Sequence, residues 1–365
     1  MNKGRGLVIV IIVGLLLAVG VRLWANAEAL AITGPSNLRQ GPDGKVYAVG
    51  PEQLWVFSDT GDLLQRIPLA RFGLTEFVGD FWVNAEQKIL LRKQRPQGGI
   101  ARTLRVVFRI GGDGRDQDPS GQAALQWCSL TGEACRPFGA GFRSTRTFRL
   151  AVEPATGAVL IADTAQHRLL RLSAKGDLQA TSAAHFQFPN ALLMTKDGLL
   201  HVADTNHHRI AAVSLATPGF GDVQHAFNVE TATSTPGRNW PMGLAQASDG
   251  ALWTINAGPD MADGDIMVYE TDGRFRQKIS LPPGADPLSL LPLKDRVLVS
   301  DARQFQIGAF DLQGQARRPF GGDAFAQDMN GLKRLKKRYE AISTISLVAL
   351  FALFGLALWV QRRQR

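Results

Sequence analysis

Cysteine is nearly absent from this 365-residue chain, with two in all, and histidine is scarce, with six. The histidines (His167, His185, His201, His207, His208 and His225) are scattered, with no pair at a ligand spacing, so neither a metal centre nor a cofactor is expected. His207 and His208 adjoin and are expected to point to opposite faces of a strand, which keeps them from serving one ion. Net charge is scarce too, once it is located. The formal charge is +9, but 11 of the 41 Lys and Arg flank two apolar runs at the chain ends: Lys3, Arg5 and Arg22, then Lys333, Arg334, Lys336, Lys337 and Arg338, then Arg362, Arg363 and Arg365. With Glu340 set aside as well, 30 basic residues stand against 31 acidic ones. A body so nearly neutral excludes a general nucleic-acid surface.

What is present is a motif written twice in tandem, VLIADTAQHRLLRLS from Val159 and LLHVADTNHHRIAAVS from Leu199, with weaker copies from about Pro35 to about Phe320. A period of roughly 40 residues marks an array of units, none able to bury its apolar face alone. Each copy repeats one order of signals. A first turn (Pro42-Asp43-Gly44-Lys45, Ala85-Glu86-Gln87-Lys88, Pro154-Ala155-Thr156-Gly157, Lys196-Asp197-Gly198, Ser248-Asp249-Gly250, Leu293-Lys294-Asp295-Arg296) precedes a β-branched or leucine-rich run. A second turn follows at Asp59-Thr60-Gly61-Asp62, Leu130-Thr131-Gly132-Glu133, Ala174-Lys175-Gly176-Asp177, Thr271-Asp272-Gly273-Arg274 and Leu312-Gln313-Gly314-Gln315, with the longer Pro218-Gly219-Phe220-Gly221 stretch in the fourth copy. Four short antiparallel strands per unit and six units predict an all-β, six-bladed β-propeller over 34–322, with blades at about 34–70, 77–140, 148–183, 186–227, 240–282 and 286–322. Strand donation from near Gly34 and purely sequential blades are equally consistent ways to close the ring.

The run FPNALLMTKDGLLHVADTNHHRI from Phe188, with a proline before its first strand and an Asp-Thr-Asn-His-x-Arg-Ile segment, resembles the NHL repeat. The match is sharp in blades three and four, thins in blade six to Ser300-Asp301-Ala302-Arg303, and is barely present in blades one and two. Since NHL propellers bind protein, bind RNA or catalyse lyase and hydrolase chemistry, the resemblance implies the architecture and not an activity. Similar six-bladed lactonase and strictosidine synthase-type enzymes carry a glutamate at the start of the first blade, where Gly34, Pro35, Ser36 and Asn37 stand here. NHL-like amidating lyases need a zinc-binding histidine set, which cannot be assembled from these histidines. No catalytic residue is assigned on that basis.

Within the repeat, Asp163 with Arg168 and Asp204 with Arg209 are expected to tie the loop after a blade's second strand to its third, a structural role. Two acidic triplets share one spacing, Asp113, Asp116 and Asp118 in blade two and Asp260, Asp263 and Asp265 in blade five. They are weak calcium candidates. Neither follows the twelve-residue calcium loop, so solvated loops are the expectation.

The chain ends carry a separate signal. Leu7 to Val21 and Ala341 to Val360 are uncharged and apolar, and the second is long enough to span a bilayer. Residues 1–27 read as a signal anchor or, given Ala25-Asn26-Ala27, a cleaved signal peptide. After the propeller come a basic juxtamembrane linker at 323–340, a transmembrane helix at 341–360 and a basic tail at 361–365. Either N-terminal reading delivers the propeller across a bacterial-type inner membrane to the periplasmic or extracellular side, although positive-charge counting is close to a tie. In a hairpin turning at Thr131-Gly132 the paired positions sum to a constant, which sets Cys128 opposite Cys135. That predicts a disulfide, a bond that persists in oxidising compartments.

The largest departure from the repeat lies between the second and third strands of blade two, from about Arg92 to Ala123, well beyond the usual loop length. It is basic (Arg92, Lys93, Arg95, Arg102, Arg105, Arg109) around an apolar centre, Leu104 to Ile110, which includes Phe108 and reads as an extra strand or hairpin. Loops between second and third strands share a propeller face with the inter-blade loops, so Arg143, Arg146 and Arg238 are expected on the same face as the insertion. Both membrane tethers should leave from it. The expectation is a membrane-anchored scaffold whose partner-contact face is this one and whose partner is a membrane protein. The alternatives are an enzyme at the central channel and binding of anionic lipid or glycan.

Overall fold

The computed structural model describes residues 2–92, 125–131, 135–139, 148–183, 185–229, 239–258 and 264–363. Among them, the strands form six four-stranded antiparallel sheets, each in chain order. Blade one is β1–β4 (Asn37–Gln40, Val46–Val49, Gln53–Phe57, Leu63–Pro68) and blade two β5–β8 (Trp82–Val83, Lys88–Arg92, Leu125–Ser129, Arg136–Phe138). Blade three is β9–β12 (Phe148–Val152, Val159–Asp163, Arg168–Leu172, Leu178–Thr181) and blade four β13–β16 (Pro189–Met194, Leu200–Asp204, Arg209–Val213, Val223–Asn228). Blade five is β17–β20 (Trp240–Gln246, Leu252–Ala257, Gly264–Tyr269, Phe275–Ile279) and blade six β21–β24 (Pro287–Pro292, Arg296–Asp301, Gln306–Asp311, Ala316–Phe320).

Burial follows strand rank. The second strands β2, β10, β14 and β18 are buried at every position, because a neighbouring blade covers each face. Outermost strands such as β12 and β24 are mostly exposed, and their sequences, LQAT and ARRPF, are correspondingly polar. The core is therefore a set of layers between blades. Val56, Leu91 and Cys128 pack between blades one and two, Leu150 and Leu90 between two and three, Leu160 and Val202 between three and four, and Trp253 and Val299 between five and six.

The ring closes without strand exchange. Blade one meets blade six through Gly34 N to Ala302 O at 2.7 Å, Ser300 Oγ to Ser36 O at 2.8 Å and an aromatic cluster of Phe57, Phe320 and Phe325. Glycines in the second turns serve the same inter-blade contact. Gly176 sits at φ +97°, and a Cβ there would stand 2.6 Å from the Gly139 nitrogen at the end of the preceding blade. Gly61, Gly273 and Gly314 likewise abut Phe320, Phe227 and Ile279 of the preceding outermost strand. The turn position thus needs glycine for its backbone and for the lack of a side chain.

Cys128 and Cys135 form a disulfide, with Cα atoms 4.1 Å apart. The register Leu125↔Phe138, Gln126↔Pro137, Trp127↔Arg136 continues onto this pair, so hairpin geometry brings the two thiols together.

A second compact unit holds the chain ends. Helix α1 runs Asn2–Ala31, and helix α2 runs Gly322–Arg363, the part from Gln327 onwards belonging to this unit. Both are apolar and long enough to cross a membrane. They pack antiparallel: Gly14 lies against Leu353, Trp24 meets Tyr339 edge-on at 5.4 Å, and Lys336 Nζ donates to Ile32 O at 3.2 Å. Arg22 donates to Ser343 O at 3.1 Å, and Ser343 Oγ donates to Asn26 Oδ1 at 2.6 Å. Residues 323–340 form the first turns of α2, and Ala25-Asn26-Ala27 lies in the last turns of α1, with Asn26 held by Ser343.

Candidate functional site

The innermost strands face the propeller axis, and three of them carry the same irregularity. Pairing between first and second strands skips one residue at Pro189/Ala191, Pro241/Gly243 and Pro287/Ser289, leaving Asn190, Met242 and Leu288 bulged. A bulge re-aims its unpaired residue, and here it follows a proline that has no N–H for the ladder. The corresponding positions near the starts of the other inner strands are Asn37, Asp80 and Arg149. The channel mouth is therefore polar on blades one to four and apolar on blades five and six.

Asp80 organises the polar side. It is 1% exposed and accepts four hydrogen bonds: Asn37 Nδ2 at 3.1 Å, Phe81 N at 2.8 Å, Leu150 N at 3.0 Å, and the Arg39 guanidinium at very close range. Arg39 Nη2 also donates to Leu150 O at 2.8 Å. Arg39 belongs to blade one and Leu150 to blade three, so the side chain links two blades that are not neighbours in the ring. Leu150 lies on an inner edge strand, and the ion pair satisfies backbone groups that have no further strand to pair with. Arg149 donates to Asn190 O at 3.1 Å and Gly79 O at 3.4 Å. Burial acts to raise the Asp80 pKa, but Arg39, Arg149 and the two backbone N–H groups outweigh it and hold the carboxyl below the usual range. Burial, followed by the charge of Arg39, lowers Arg149 despite the attraction of Asp80.

Around the same mouth, hydroxyls lock blade to blade. Thr164 Oγ1 donates to Pro189 O at 2.8 Å and Thr205 Oγ1 to Pro241 O at 2.6 Å. Phe188, 41% exposed, has φ +55°, uncommon for a bulky residue, and its ring meets His167 edge-on at 4.5 Å. One blade on, His208 meets Trp240 at 5.4 Å, and its Nδ1 donates to Asn239 O at 2.6 Å. His207 and His208 do not alternate along a strand as expected; they end a 3₁₀ turn, with His208 at φ +56°.

Asp163 and Arg168 stand 3.0 Å apart, and Asp204 and Arg209 2.9 Å, each pair joining the end of a second strand to the start of a third. Asp204 also lies 2.7 Å from His207 Nδ1. Asp265 is engaged by Lys278 at 2.5 Å, and Arg92 closes β6 opposite Leu125. Lys93, Arg95, Arg102, Arg105, Phe108, Arg109, Arg143, Arg146 and Arg238 lie outside the described residues, as do Asp113, Asp116, Asp118, Asp260 and Asp263. Among the described residues no three His, Cys, Asp or Glu side chains gather as metal ligands. Arg39 and Asp80 escape a reading of the repeat because blades one and two barely carry the motif, and Arg149 escapes it because it precedes the matching run in blade three. A positional signal exists for two of them, since Asp80 falls seven residues before Gln87 and Arg149 eight before Gly157.

Fold and site together define a six-bladed β-propeller accompanied by two apolar helices near the chain termini. No protein-family model matches the sequence, and no curated protein does. Solved structures that are similar include a catalytically inactive variant of virginiamycin B lyase from Staphylococcus aureus with quinupristin, at TM-score 0.51 and 14% identity, covering 80% of this chain and 85% of that one. A streptogramin B lyase is similar at TM-score 0.50 and 15% identity, covering 80% of this chain and 83% of that one. At such identity the likeness is one of fold.

Proposed function

We propose that this chain is a membrane-anchored, extracytoplasmic propeller of NHL type that serves as a protein-binding scaffold, an accessory of a membrane complex. The observation that carries this reading is the state of Asp80. All four of its acceptor positions are occupied by structural donors, so the carboxylate at the channel mouth is committed to holding blades together and is a poor proton acceptor. A rigid ring with variable loops suits recognition better than chemistry under those conditions. Two apolar helices support the anchoring, and the Cys128–Cys135 disulfide supports an oxidising compartment, the periplasm of a bacterial-type cell. The NHL assignment rests on the Pro189 and Asp204 to Ile210 pattern. The basic insertion from about Arg92 to Ala123 is the proposed contact for a membrane-protein partner.

Purification in mild detergent, comparing the intact chain with one lacking residues 95–120, tests the scaffold. A membrane protein that accompanies only the intact chain supports it. Absence of any partner from both folded samples counts against it. The second reading, a propeller lyase or metal-assisted hydrolase, is favoured by one observation, that the similar structures are named as lyases. Stoichiometric metal in the purified protein, retained through dialysis, would support that reading instead.

A further inference from the structure

Two guanidiniums, Arg39 and Arg149, stand beside one carboxylate at the channel mouth, and among the described residues no second carboxylate is bonded to either. The four acceptor positions of Asp80 are full, so it has none left to offer Arg149. A partly buried excess cation is costly unless a counter-charge meets it. The polar contacts of Arg39 run through Nη2, its Nε is buried without a partner, and 24% of the side chain is exposed. Its guanidinium lies over Trp82, 5.4 Å from the ring centroid. Moving round the ring, Arg149 reaches Asn190, and Asn190 Nδ2 lies 3.4 Å from Met242 Sδ, where the apolar third of the mouth begins. Positive charge thus lies between a flat aromatic face on blade two and an apolar thioether on blade five.

We propose that the channel mouth binds an organic anion, its negative group held by Arg39 and Arg149 and its apolar part lying against Met242. The ligand class is a carboxylate with a short apolar moiety. This goes beyond the scaffold role and stands or falls without it, since it concerns the channel and not the blade-two insertion. Arginine supplies the charge-assisted, two-pronged donor set that a carboxylate accepts. Proximity to the ion-paired Asp80 limits entry to a ligand that approaches the exposed part of the Arg39 side chain.

The test uses the full chain in detergent and titration calorimetry with three probes: hexanoate, neutral hexanol and inorganic phosphate. Hexanoate binding that weakens with salt, with hexanol silent and phosphate weaker, is expected. Arg39→Gln should weaken hexanoate about tenfold or more, the scale of a lost charged hydrogen bond. Because that variant also disturbs Asp80, Met242→Glu provides a second probe. It places a like charge at the apolar rim and should abolish hexanoate binding in protein whose retained fold is checked by circular dichroism. No heat with hexanoate at millimolar concentration, phosphate binding as tightly as hexanoate, or equal hexanoate affinity in wild type and Met242→Glu would each overturn the proposal.

Discussion

Replacing Asp80 by Asn is the most informative perturbation of the propeller. The side chain keeps its shape, but one oxygen becomes an NH₂ group facing donors, and Arg39 and Arg149 lose their shared counter-charge. Removing one member of a buried pair costs about 3–5 kcal/mol, because the remaining charge is left uncompensated. At about 2–4 °C per kcal/mol for a domain of this size, the melting temperature should fall by about 6–20 °C. The readout is thermal unfolding by circular dichroism in detergent, at neutral pH. The pH dependence has a definite sign. Asp80 has a folded pKa below its unfolded one, so its stabilisation is complete above the ordinary value of 3.8 and is lost as pH falls through the folded pKa. Asp80→Asn should therefore flatten the acid limb of the stability profile. The double variant Asp80→Leu with Arg39→Met should recover part of the loss, since apolar replacement of a buried pair is often tolerated. A fall of less than about 2 °C in the single variant would refute the claim that this carboxylate holds the inner strands together.

Reduction of the disulfide, or Cys128→Ser with Cys135→Ser, should lower stability by about 2–3 kcal/mol for so short a closed loop, read as a lower melting temperature with reductant in the wild type only. Gly176→Ala should cost more than Gly198→Ala, although both glycines have positive φ, because a Cβ at 176 would meet the Gly139 backbone while the one at 198 meets nothing. The second should cost about 1 kcal/mol and the first clearly more, compared by chemical denaturation. For the helical pair, Gly14→Cys with Leu353→Cys should cross-link under mild oxidant in membranes, whereas Gly20→Cys with the same partner should not, since nothing lies within 4 Å of Gly20. Equal cross-linking of both pairs would argue against the antiparallel register.

Glycine turns at 44, 157, 176, 198, 250, 273 and 314 are legible as turns from local chemistry, and each has positive φ. The disulfide is legible for the same reason, since a short hairpin has one register. The full length of the N-terminal helix is not, because Arg22 and Asn26 look locally like the end of an apolar run. Their partner, Ser343, is more than three hundred residues away in the sequence.

Strand order, blade number and the apolar character of the end helices are set by the sequence itself, since each depends on turns and hydrophobic runs a few residues long. The channel is decided by tertiary structure. Arg39 meets Asp80 at a separation of 41 residues and Leu150 at 111, contacts that exist only after the ring has closed. The bulges that turn out Asn190, Met242 and Leu288 depend on a neighbouring strand to be bulged against. A local pattern records what each strand must bury, and the closed ring alone determines which inner-strand residues share the axis.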